Sequence, residues 1–253
     1  MPSDRDDSVN YTDEVLFGGD LVCRQSRKGY RFSVDAVLLA HFVTVNSGDR
    51  VLELGAGCGI ISLVLAYRHP SITIDAIEIQ PQLCDLARHN MSANGYGERC
   101  RVLSGDVRQI SSHISAGTVD IVLANPPYQK RDHGRIGDCR ERAVARHQLR
   151  GDLGSFVDAA AVALVDCGRA AFVYPAAQED VLLGVLRVRG LYPCRLRSVY
   201  GYPGGRRKLV LVEAIKGKKV ELLQEAPLYI TAHVGGEYSP EIAAYYDQAL
   251  QIT

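Results

Sequence analysis

The chain has 253 residues, 47% of them hydrophobic, and its 29 basic side chains balance its 29 acidic ones. That length supports one large domain, and a net charge of zero gives no whole-molecule argument for a polyanionic partner. Apolar runs stay well below the roughly 20 residues of a membrane span. The seven cysteines form no CxxC pair and read as reduced thiols of a cytoplasmic protein. With no HExxH and no His/Cys cluster at zinc spacing, no metal is expected.

In chain order, residues 1–15 are polar and acidic and read as a disordered tail. RVLEL (50–54) is a short buried strand that runs into a glycine turn. IISLVLAYRH (60–69) has helical character, and TIDAIEI (73–79) alternates like a strand. PQLCDLARHNMSANG (81–95) is a helix with proline at its start and glycine past its end. CRVLSGD (100–106) and VDIVLAN (119–125) are strands. SFVDAAAVALVDCG (155–168) reads as a helix closed by glycine, followed by a strand, RAAFVY (169–174). QEDVLLGVLRVRG (178–190) is a helix, and two closing strands follow, LYPCRLRSVYGY and KLVLVEAI. Strand–helix alternation predicts an α/β fold, a Rossmann-like doubly wound, mostly parallel sheet with helices on both faces. Its ligand site then lies beyond the carboxyl ends of the strands.

The glycine turn is ELGAGCG (53–59). Gly55, Gly57 and Gly59 let the backbone approach a ligand at the following helix. A dinucleotide fingerprint needs its third glycine one residue later, where Ile60 stands, which disfavours a nicotinamide-linked oxidoreductase. Glu78 ends the next strand and can accept hydrogen bonds from both hydroxyls of a ribose. Asp106 can accept from an adenine amino group. This order of features resembles the class I S-adenosylmethionine-dependent methyltransferases. The resemblance implies a seven-stranded sheet whose last strand is antiparallel, with S-adenosylmethionine as cofactor. It places Glu53 near the methionine amino group and Asp106 with Val107 around the adenine. Ala56 and Ile79, beside the turn and the ribose carboxylate, belong to the same implied binding set.

ANPPYQK (124–130) follows the fourth strand. Asn125 and Pro126 each precede a proline and are pushed into extended conformations. Pro126 and Pro127 have fixed φ and no N–H. The segment therefore presents carbonyl oxygens, including Asn125 Oδ1, in a fixed geometry suited to a planar NH₂ group. Tyr128 offers a flat face for the ring that bears it. NPPY resembles the motif of amino-methyltransferases that act on adenine-N6 in DNA or RNA or on a glutamine amide. Relatives with phenylalanine in the last place act on guanine-N2 of ribosomal RNA.

Only about 50 residues precede the first core strand, too few for the helical domain that glutamine methylators carry there. YRFSVDAVLLA (30–40) resembles instead the opening of the small-domain bacterial tRNA(Val) adenine-N6 methyltransferases. ARHQLRGDLGSF (145–156), FVYPA (172–176), LVEAIKG (211–217) and PLYI…GEYSPEI (227–242) extend that likeness over nearly the whole chain. Gln148 departs from it, standing where the family has glutamate. The resemblance implies N6-methylation of an adenine in tRNA near the anticodon. It places Phe32 and Asp35 at the cofactor, Asn125 at both cofactor and reacting amine, and residues 16–46 as a cofactor-covering segment ahead of a methyltransferase domain, 47–253. Ser33 or Asp35 would cap the helix that begins there. Residues 130–150 carry seven bases against three acids; Lys130, Arg131, Arg140, Arg142 and Arg146 are expected to hold RNA phosphates. Methylation of another planar nitrogen and a non-catalytic RNA-binding protein on the same fold are the alternatives.

Overall fold

A computed structural model describes residues 10–27, 31–127 and 153–247. Tyr11–Leu16 (β1) and Leu21–Ser26 (β2) form an antiparallel hairpin of their own. Val34–Phe42 (α1) leads to Arg50–Leu54 (β3), and then the chain alternates through Ile60–Arg68 (α2), Thr73–Glu78 (β4), Pro81–Ala93 (α3), Cys100–Ser104 (β5) and Val119–Ala124 (β6). Leu153–Ala163 (α4), Leu164–Pro175 (β7), Glu179–Val188 (α5), Leu191–Tyr200 (β8) and Arg207–Lys216 (β9) follow. Two short strands, Leu223–Gln224 (β10) and Leu228–Tyr229 (β11), and a helix, Pro240–Asp247 (α6), complete the described chain.

The seven long strands of the main sheet run β5-β4-β3-β6-β7-β9-β8, with β10 and β11 each adding a two-residue parallel pairing to β8. Strand β9 is antiparallel to both its neighbours, and the rest of the central pairs are parallel. The expected sheet is therefore present, enlarged from seven strands to nine by the two short ones. Helices cover both faces. Val51, Ile74, Ala171 and Leu211 pack with α1, α2 and α3, whereas Leu52, Ile77, Phe172 and Val212 pack with α4 and α5. Burial on both faces is why apolar residues dominate these strands. Among the described residues no helix is long and apolar enough to cross a membrane.

Three details differ from the sequence reading. Helix α4 stops at Ala163, and residues 164–168 belong to β7. The alanine-rich stretch favours helix locally, but Leu164 pairs with Val119 and the ladder resumes at Arg169 and Ile121 after a bulge. Gly168 is no helix cap: a Cβ there would meet Val165 O at 2.9 Å and Asp120 O at 3.1 Å, so the bulge needs its missing side chain. Strand β1 occupies residues expected to be tail, and residues 1–9 lie outside the described set. The hairpin is ordered by packing: Leu16, Phe17, Leu21 and Cys23 are buried in the core over α2 and α3. Ser33 is the residue before α1, but its side chain makes no capping hydrogen bond.

Asn90 of α3 fastens the hairpin to the glycine turn. Its Oδ1 accepts from Arg24 N at 2.9 Å, and its Nδ2 donates to Arg24 O and Cys58 O, each at 2.9 Å. The turn is thus held from behind by a buried side chain whose hydrogen-bonding groups are all used.

Candidate active site

A cleft of about 640 Å³, open solvent at its mouth included, lies at the carboxyl ends of β3, β4, β5 and β6. Its lining includes Gly55 and Gly57 from the turn after β3, Ile77, Glu78 and Ile79 from β4, and Asp106 and Val107 beyond β5. Asn125 and Pro127 beyond β6 close one side.

The turn is shaped to leave this space open. Gly55 N donates to Ile77 O at 2.8 Å and Ala56 N to the same oxygen at 3.0 Å, which draws the loop across β4. Gly55 has φ +73°, and a Cβ there would stand 3.2 Å from the Phe156 ring, so both conformation and space require glycine. Gly59 has φ +84° directly before α2, where a Cβ would meet Met91 Cε at 2.8 Å.

Glu78 is the charged centre of the cleft. It is 4% exposed, and its carboxylate accepts from Gly57 N and Gln80 N, each at 2.8 Å. Each oxygen retains a lone pair after these bonds, so the group can still accept from a ligand diol while the loop orients it. Asp106 accepts from Arg108 N at 2.9 Å and from the Arg108 guanidinium. The guanidinium beside it holds its carboxyl below the usual carboxylate range.

Glu53 stands apart from the residues that line the cleft. It is 1% exposed and accepts from Ser62 N at 3.0 Å and from Ser62 Oγ, which fixes it under the first turn of α2. Burial pushes its carboxyl up to about 7, against the opposing pull of the Ser62 hydrogen bonds. The folded protein therefore holds a proton there that the unfolded chain releases near the ordinary value of 4.5. Stability from this group is fully present below about 4.5 and is lost as pH rises to about 7. The span corresponds to about 3 kcal/mol at most. Glu53→Gln should flatten that decline: in urea unfolding from pH 4.5 to 8 the two proteins should be closest at low pH, where both side chains are neutral, and the variant should gain on wild type as the pH passes about 7. Parallel curves would refute the assignment.

Of the expected cofactor set, the structure brings Gly55, Gly57, Glu78, Ile79, Asp106, Val107 and Asn125 together in one cleft. Phe32, Asp35, Ala56 and Gly59 do not line it, and neither does Glu53. Ala56 and Gly59 form the back of the turn, and Phe32 packs against the core beside α1. Asp35 lies near Tyr246 of α6, whose pKa is raised first by burial, then by Tyr238, with the Asp35 charge adding a smaller push. Tyr128, Lys130, Arg131, Arg140, Arg142 and Arg146 lie outside the described residues. Sequence reasoning missed Ile77, Gln80, Leu83, Gly105 and Phe156 as lining residues. Phe156 sits in LGSF at the start of α4, where an aromatic directly after a basic segment was the available signal.

The Methyltransferase small domain family model matches residues 33–150. A tRNA1(Val) (adenine(37)-N6)-methyltransferase of Tolumonas auensis is 29% identical over 225 residues, covering 88% of this chain and 91% of that protein. A protein of the same name from Aliivibrio fischeri strain MJ11 is 29% identical over 213 residues, covering 84% and 87%. Among solved structures, a predicted O-methyltransferase of Agrobacterium tumefaciens superposes with a TM-score of 0.68 at 19% identity, over 87% of this chain and 100% of that one. A SAM-dependent O-methyltransferase of Thermotoga maritima gives 0.53 at 23% identity, over 77% and 69%. At those identities the structural likeness speaks to the fold.

Proposed function

We propose that this chain, a class I S-adenosylmethionine-dependent methyltransferase that resembles the tRNA1(Val) (adenine-N6) enzymes, methylates the exocyclic amine of an adenine in tRNA near the anticodon. The observation that supports the reading is Asn125 and Pro127 on the wall of the same cleft as Gly55, Gly57 and Glu78. In this reading the Asn125 carbonyl, with a main-chain oxygen of the proline-stiffened segment, is the pair of acceptors beside the cofactor.

The residues present fit the cofactor. The Glu78 carboxylate suits the ribose hydroxyls, Asp106 and Val107 the adenine edge and face, and the glycine backbone the chain leading to sulfur. When bound, S-adenosylmethionine supplies a methyl group already activated by its sulfonium. Asn125 Oδ1 and a neighbouring main-chain oxygen accept the two N–H bonds of the target amine. That pulls the nitrogen toward a pyramidal geometry and aims its lone pair at the methyl carbon. Attack in that geometry would transfer the methyl from sulfur to nitrogen, and the amine would then release its extra proton to water. The chain's contribution is positioning and electrostatics.

Tyr128 is assigned the stacking face for the base, worth about 1–3 kcal/mol. Unstacking a base costs roughly a few kcal/mol, so a base already in a loop is favoured. Lys130, Arg131, Arg140, Arg142 and Arg146 are assigned to RNA phosphates, and residues 16–46 to covering the cofactor. The protein works in the cytoplasm in this reading. Offering it RNA, DNA and protein together with methyl-labelled S-adenosylmethionine should put the label in RNA. Label in DNA or protein would overturn the substrate class.

A further inference from the structure

The turn between β8 and β9 with its flanking strand ends, YGYPGGRRK (200–208), leaves the sheet at the same rim as Asn125. The registers show this. Ala124 of β6 pairs with Phe172 of β7, and Phe172 pairs with Val212 of β9. Three residues further toward the carboxyl rim, Pro175 pairs with Leu209. Two strand spacings and three to five residues of rise separate Ala124 from the start of β9, roughly 15–20 Å. A strand of RNA with one base at Asn125 reaches that far within a few nucleotides.

The turn is braced. Gly201 O accepts from Thr231 N at 2.9 Å and Thr231 Oγ1 at 3.0 Å, and Tyr200 O accepts from Ile230 N at 2.9 Å. Its three bases differ in their duties. Arg207 is committed to the fold, paired with Glu179 at 2.8 Å and bonded to Ala176 O at 3.3 Å. Arg206 and Lys208 are exposed, and among the described residues neither side chain has a carboxylate or hydrogen-bond partner. The Lys208 side chain lies along Gly201, where a Cβ would stand 3.0 Å from Lys208 Cε and 3.3 Å from its Nζ, so the ammonium rests on the turn. Half-buried Tyr202 packs under Gly205 and stiffens the tip. Two uncompensated cations on a rigid loop at the substrate rim match the spaced negative charge of a nucleic-acid backbone.

We infer that the β8–β9 turn is a second RNA contact, in which Arg206 and Lys208 hold backbone phosphates of the substrate tRNA a few nucleotides from the methylated base. This deepens the proposed function and rests on it. The contact reads no sequence; it sets the register of the RNA on the cleft.

Arg206→Ala/Lys208→Ala should fold as wild type, since neither side chain has an intramolecular partner, and thermal melting checks this. Its Kd for unmodified tRNA should rise about tenfold at low salt, and the slope of log K against log salt should shrink by about two, one for each phosphate contact. The KM for tRNA should rise with kcat at saturating tRNA and the Kd for S-adenosylmethionine unchanged. Arg206→Lys should recover most of the affinity, because a phosphate contact needs charge. Wild-type tRNA binding with an unaltered double variant would overturn the turn's role while leaving the proposed function standing. A wild-type protein that binds no tRNA would overturn both.

Discussion

Asn125→Ala should lower methyl transfer to RNA by about 100-fold or more while the Kd for S-adenosylmethionine stays within a few-fold of wild type. The reasoning is geometric. Displacing a reacting group by about 1 Å can cost 100-fold in rate, and removing Oδ1 deletes one of two acceptors that orient the target nitrogen. The cofactor is held mainly by other elements of the cleft: the glycine turn, Glu78 beyond β4 and Asp106 beyond β5. Asn125→Asp keeps an acceptor of the same size and should retain more activity than the alanine variant at neutral pH. Isothermal titration with the cofactor, paired with single-turnover transfer to tRNA, separates the two effects. Activity within a few-fold of wild type would show that Asn125 does not orient the amine.

The largest expected effect on stability lies far from the cleft, at Glu213 of β9. It is 1% exposed and accepts from Thr44 N at 3.1 Å, Thr44 Oγ1 at 3.0 Å and Arg195 at 2.7 Å, with Arg169 at 3.9 Å. Arg195 also donates to Phe42 O at 2.6 Å, so the cluster ties the end of α1 to the antiparallel strands. Glu213→Ala removes one carboxylate partner from each of two guanidiniums and leaves the Thr44 N–H without its acceptor. Breaking a buried pair costs about 3–5 kcal/mol. Arg195 keeps Glu225 at 2.6 Å and Arg169 keeps Asp49 at 3.1 Å, and both arginines are about a quarter exposed. The lower end, about 3 kcal/mol, is therefore expected, a fall in Tm of roughly 6–12 °C. Glu213→Gln keeps an acceptor for Thr44 and should lose about half as much. A Glu213→Ala variant that melts within about 1 °C of wild type would show that the cluster contributes no net stability.

The sheet was legible because its strands are buried on both faces. RVLEL, TIDAIE and VDIVLA each carry enough apolar residues to be read without context. The elements that escaped have their structure imposed from elsewhere. YTDEVL is polar and acidic, and its strand exists because β2 pairs with it and α3 holds β2. LVDCG follows a run of alanines and reads as helix until its pairing with β6 is known. The short β10 and β11 have two residues each, too few for any periodicity.

The cleft divides in the same way. Gly55, Gly57, Glu78 and Asn125 follow strands directly, so strand order alone brings them to one rim. Phe156 reaches that rim from a helix some 30 residues after Asn125, and only packing reveals it. Glu53 shows the reverse failure. It belongs to the turn in sequence, yet its carboxylate is turned under α2 toward Ser62.

The most direct test of the central claim is the chemical identity of the product. Unmodified tRNA with an adenine beside the anticodon, incubated with the protein and S-adenosylmethionine, is digested to nucleosides and analysed by mass spectrometry. The account predicts N6-methyladenosine, close to one per tRNA at completion, and its loss in the Asn125→Ala variant. A methyl group on guanosine, on another atom of adenosine, or on no nucleoside of that tRNA would contradict it.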